Sequence, residues 1–105
     1  MRLEIFYLDV TAHSAGDFTS DYVIYAAGRL RNCGNDTAFN VTVSCRPSHF
    51  FWVNTCELGD IAPGEEEGFG FVGTVDILDL WDSRISVEAE SLGGASDWAS
   101  ASPHH

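Results

Sequence analysis

Phe39-Asn40-Val41-Thr42-Val43-Ser44-Cys45 alternates apolar and polar residues without a break, and this period of two constrains the fold more than any other feature of the chain. A strand sends successive side chains to opposite faces, so Phe39, Val41, Val43 and Cys45 are predicted to face a core, and Asn40, Thr42 and Ser44 the solvent. A helix would scatter the same residues around its axis. Segments of the same character lie on both sides. Leu3 to Thr11 is rich in β-branched and aromatic residues with no Gly or Pro. In the next segment Tyr22, Ile24, Ala26, Gly28 and Leu30 share one face, leaving Arg29 and Arg31 on the other. Phe69 and Phe71, two apart among glycines, point inward. Ile85, Val87 and Ala89 alternate with Ser86, Glu88 and Glu90 in what reads as the last strand.

Between these segments stand dense turn signals. Asn32-Cys33-Gly34-Asn35-Asp36-Thr37 combines residues that tolerate positive φ, Arg46-Pro47-Ser48-His49 breaks the alternation, and Pro63-Gly64 suits the two central positions of a type II turn. Turn signals roughly every 8–12 residues, with at most one helical turn in the connection from Asp76 to Asp82, predict an all-β, immunoglobulin-like antiparallel β-sandwich of about seven strands. With 105 residues, 45% of them hydrophobic and 12% aromatic, the chain has enough apolar surface for one core. The sandwich is expected over residues 1–91. Residues 92–105 read as a flexible tail, its closing His104-His105 as part of a tag.

Sixteen Asp and Glu stand against five Arg and no Lys, for a formal charge of −11. Such a surface repels a phosphate backbone and an anionic membrane, which argues against nucleic-acid binding and direct membrane insertion. It also suits a halophilic, archaeal source, because self-repulsion of this size is relieved by screening counterions. No stretch has the length and apolar character of a signal peptide core or a membrane span.

The segment Gly28-x-Leu30-x-Asn32-x-Gly34-Asn35-x-Thr37-Ala38-x-Asn40-Val41-x-Val43, followed by Leu58-Gly59-Asp60-Ile61-Ala62-Pro63-Gly64-Glu65, resembles the prokaryotic immunoglobulin-like modules of the CARDB type. Those modules show a strand ending in an Asn-x-Gly turn, a strand beginning Ala-x-Asn-Val-x-Val, and a Pro-Gly-Glu corner. The resemblance spans roughly residues 22 to 72. It implies a noncatalytic spacer, adhesion or interaction module of a cell-surface or secreted protein, contacting a protein partner or an adjacent domain, with no shared catalytic residues and no cofactor.

The residues themselves offer few routes to chemistry. There is no Gly-x-Ser-x-Gly, no phosphate-cradling Gly loop and no paired carboxylates in a cleft-like run, so no catalytic residue is assigned. Cys33, Cys45, Cys56 and His49 lack the CxxC or HxxxH spacing of a transition-metal site. Asp76, Asp79 and Asp82 are weak Ca²⁺ candidates without the Asp-x-Asp-x-Asp-Gly order, and a solvated acidic connection accounts for them. Cys45 and Cys56 bracket a reversal that a disulfide would close, leaving Cys33 a free or intermolecular thiol; in a reducing compartment all three stay thiols. Asn35 and Asn40 open Asn-x-Thr sequons, which are glycan acceptors if the chain is exported. Phe50-Phe51-Trp52 is the clearest opening toward binding, since alternation buries only part of three consecutive aromatics. With Trp81, these side chains are candidate platforms for a protein partner or, alternatively, for a glycan.

Overall fold

The computed structural model describes residues 2–16, 21–80 and 83–104. Seven strands make up most of it: β1 (Leu3–Ser14), β2 (Asp21–Asn32), β3 (Ala38–Arg46), β4 (Thr55–Ile61), β5 (Glu66–Asp76), β6 (Ile85–Leu92) and β7 (Ser96–Ala101). A 3-10 turn over Ser48–Phe50 interrupts the β3–β4 connection, and a single helical turn, α1 (Ile77–Leu80), follows β5. Two antiparallel sheets face each other, one ordered β1-β2-β5 and the other β4-β3-β6-β7. The first, second and fifth strands in one layer and the third, sixth and seventh in the other is the partition of an immunoglobulin-like sandwich, here with β4 paired to β3.

The alternation read from the sequence sets the inner faces. Ile24, Ala26 and Leu30 of β2 and Phe69, Phe71 and Val75 of β5 meet Val41, Val43 and Cys45 of β3 and Ile85, Val87 and Ala89 of β6, all of them buried. Gly28 belongs on this face because a Cβ there would lie 2.5 Å from both the Phe69 ring and the Tyr7 carbonyl oxygen.

Two expectations change. Phe39 was predicted to face the core but is 51% exposed, and Ala38 is buried instead. The cause is Asn40, which takes a left-handed φ of 51° where the pairing with β4 and β6 slips. Asn tolerates that conformation better than most residues, and the extra residue of the resulting bulge turns Phe39 outward, opposite Leu92. The second change concerns residues 92–105, expected to be a flexible tail. Ser96–Ala101 instead forms β7 along β6, and the His104 backbone bonds to Val10 and Ala12 of β1. Gly93 and Gly94, both at positive φ, make the hairpin turn into β7. A strand built of Ser, Ala, one Asp and one Trp carries little β propensity, and its pairing with β6 supplies what composition lacks.

At one end of the sandwich the two turn motifs meet on Asn32, the only buried polar residue among those described. Its Nδ2 donates to the carbonyls of Asp36 and Ile61, both at 2.8 Å, and its Oδ1 accepts from Gly34 N at 2.9 Å. Its backbone joins the Pro63-Gly64 turn, with Gly64 N donating to Asn32 O and Asn32 N to Glu65 O. Glu65 N donates in turn to Ala62 O, and Gly64 has a φ of 82°, as a type II turn requires. The Asn-x-Gly and Pro-Gly-Glu segments, distant in sequence, are thus one hydrogen-bonded corner.

Candidate interaction surfaces

The opposite end is closed by packed side chains carried on a backbone crossing. After the cis Arg46-Pro47 peptide the chain turns through Ser48–Phe50 and crosses from the sheet of β3 to β5. There Phe51 pairs with Gly73, and Trp52 N donates to Val72 O at 3.1 Å. The crossing needs a glycine, since a Cβ on Gly73 would lie 1.8 Å from the Phe50 carbonyl oxygen. Phe50 and Phe51 are 8% and 6% exposed, and the Phe51 ring meets Phe71 edge-on at 6.2 Å. They plug the sandwich, each contributing about 1.5–3 kcal/mol of hydrophobic burial. Of the aromatic run only Trp52 reaches solvent, 70% exposed, with Val53 beside it in sequence also exposed. At the same end α1 buries Leu80 and exposes Ile77 and Leu78. Trp81, the fourth aromatic candidate, lies outside the described residues.

Cys56 stands opposite Val43 on β3, and Cys45 pairs further along, its N donating to Asn54 O. Diagonal neighbours of this kind sit roughly 7–8 Å apart, at the edge of what a disulfide spans. All three cysteines are free thiols here, and burial pushes the Cys45 thiol up to about 12, so it behaves as a small core hydrophobe. Of the acidic trio, Asp76 Oδ1 accepts from Leu78 N at 2.8 Å and caps α1, the Asp79 carbonyl accepts from the Ser83 hydroxyl, and Asp82 lies outside the described residues. Among the described residues no group of three potential metal ligands comes together, and no helix is long and apolar enough to cross a membrane. Asn35 and Asn40 are both exposed, Asn35 in the β2–β3 turn and Asn40 on the β3 bulge.

A further surface escapes the sequence reading because β7 does. On the outer face of the four-stranded sheet the register brings Thr42, Glu90 and Ser96 into one row, Ser44, Glu88 and Trp98 into the next, and Arg46, Ser86 and Ser100 into a third. Trp98 is 68% exposed. Together with Ser44, Arg46, Ser86 and Glu88 it lines a shallow recess of 170 Å³. A second recess of 370 Å³, lined by Asn40, Thr42, Ser44 and Glu90 among others, continues along β3. A hydrogen bond with Glu88, reinforced by the charge of Glu88, raises the Glu90 carboxyl above its usual range, while Arg46 works in the opposite direction. The signal for this surface was the period-two pattern of Ser96, Trp98 and Ser100 against Asp97, Ala99 and Ala101.

Compared with protein-family models and with curated proteins, the chain matches none.

Proposed function

We propose that the chain is a noncatalytic interaction and spacer module of a prokaryotic cell-surface or secreted protein, contacting a protein partner or an adjacent domain through its aromatic-plugged end. The observation that carries this reading is the polarity of the sandwich. Its principal extents are 51 × 19 × 18 Å. β1 starts beside Asn32 at one end, where Leu3 pairs with Asn32, and β7 finishes at the other, where Ala101 pairs with Ile85. That second end exposes Trp52, Val53, Ile77 and Leu78. A rod whose chain runs from end to end suits domains held in line, and apolar side chains on its terminal surface suit a neighbour that covers them. The resemblance to CARDB-type modules points the same way.

A photo-crosslinking residue at position 52 or 78, in cells that make the protein, tests the reading. A discrete adduct to another domain or protein is expected from those positions and not from position 74, on the outer face of β5. The absence of adducts at 52 and 78 rejects it. The formal charge of −11 supports a high-salt setting, for which the thermal midpoint rises from low to molar salt; a flat profile rejects that part.

A further inference from the structure

We propose that the outer face of the four-stranded sheet is a binding site for a neutral oligosaccharide, with Trp98 as its stacking platform. This site is separate from the apolar end and does not depend on the reading given for it.

Three observations carry the proposal. First, Trp98 stands on a strand rather than a loop, 68% exposed, directly opposite Glu88 in the β6–β7 register. A large aromatic ring held open to solvent on a rigid sheet offers its face to the apolar C–H side of a pyranose, and its two side-chain torsions make ordering it inexpensive in entropy. Second, the surrounding groups match sugar hydroxyls, which both donate and accept. Arg46 donates, the carboxyl oxygens of Glu88 accept, and the hydroxyls of Ser44 and Ser86 do either. The guanidinium and the carboxylate offset each other within the Trp98 recess, so a neutral ligand meets complementary partners beside the ring, whereas a phosphate meets Glu88 next to Arg46 and Glu90 in the adjoining hollow. A protein partner fits less well, because the centre of a protein interface is depleted of charge and this centre is hydroxyls, a carboxylate and a guanidinium. Third, the recess is extended. The two hollows share Ser44 and together follow β3 from Asn40 to Arg46, about 20 Å of strand at 3.3 Å per residue. That length suits a chain of sugars rather than a single ring.

Affinity electrophoresis of the full chain tests this, using protein made in a host that adds no N-glycan, so that a sugar on Asn40 cannot fill the trench itself. The gels contain xylan, mannan or mixed-linkage β-glucan, with heparin, chitosan and polylysine as charged comparisons. At least one neutral polysaccharide is expected to retard the protein. Trp98→Ala should weaken that retardation at least tenfold, Trp98→Phe should restore part of it, and Trp52→Ala should leave it unchanged. Trp98 is largely exposed, so circular dichroism of Trp98→Ala should match the parent. No retardation by any neutral polysaccharide overturns the proposal. So does retardation that survives Trp98→Ala or is lost with Trp52→Ala, and so does binding confined to heparin, chitosan or polylysine.

Discussion

The two ends of this sandwich are closed by opposite means. At the Asn32 end one buried amide gathers two turns, and each of its polar atoms has a partner. At the other end Phe50, Phe51 and Leu80 fill the opening, while Trp52, Val53, Ile77 and Leu78 remain in solvent. A corner made of directed hydrogen bonds leaves its buried amide with no unmet donor or acceptor. A plug of side chains stops the core from flooding but leaves its own outer surface apolar. The same fold therefore closes one end around a buried amide, with Phe39 and Leu92 left in solvent on the neighbouring sheet face, and the other around packed side chains whose outer layer is apolar.

Substitutions separate the two kinds of closure. The largest effect is expected from Gly73→Ala. Its Cβ would collide with the Phe50–Phe51 backbone, which cannot rotate away as a side chain would, and the loss in urea denaturation should exceed about 3 kcal/mol. Asn32→Ala should cost about 2–3 kcal/mol in the same assay, since it leaves the Asp36 and Ile61 carbonyls and the Gly34 N–H without their partner. Asn32→Asp should not rescue it, because a carboxylate in that place faces two carbonyl oxygens. If Asn32→Ala is neutral, the contrast between the ends is wrong. The pair Trp52→Ser and Leu78→Ser should change stability by no more than about 0.5 kcal/mol each, while abolishing the crosslinked adduct at that end. A larger stability loss would mean that these side chains are part of the plug.

The smallest effect lies away from both ends and calibrates them. Glu90 holds its proton more tightly in the fold than an ordinary glutamate carboxyl, which releases it near 4.5. Its contribution is therefore present below that value and is lost as pH rises through the raised folded value. Glu90→Gln removes the titration, so the parent should lose stability relative to the variant as pH climbs from 4 through the weakly acidic range. Parallel pH profiles of the two proteins would contradict the Glu88–Glu90 interaction.

Much of the fold was legible because the inner faces of β2, β5 and β6 follow period two without interruption, and because Asn32, Gly34, Pro63 and Gly64 are turn residues for reasons local to the backbone. What escaped was set by tertiary partners. Phe39 obeyed the alternation in sequence and broke it in space, since the left-handed Asn40 adds a residue that only the pairing with β4 and β6 reveals. β7 escaped because Ser, Ala and Asp have low strand propensity and leave only a weak alternation around one aromatic, and with it went Trp98, the most exposed aromatic of any strand. The aromatic run stood out because alternation buries only part of three consecutive aromatics. Which of its members faced water depended on Gly73, twenty-one residues from Trp52, accepting the crossing backbone.

That crossing also bears on how copies of the chain behave in a crowd. β5 lies at the rim of its sheet and carries Phe69 and Phe71, and an uncovered rim of that kind invites another chain to add a strand. The Phe51–Gly73 bridge and the bond from Trp52 to Val72 block the rim at Val72 and Gly73, and Glu65, Glu66 and Glu67 put three consecutive carboxylates at its start. Between a steric stopper and a charged guard, β5 has little free backbone to offer. On the β5 side, two copies of the chain in a crowd can then lie next to one another without adding a strand to this rim.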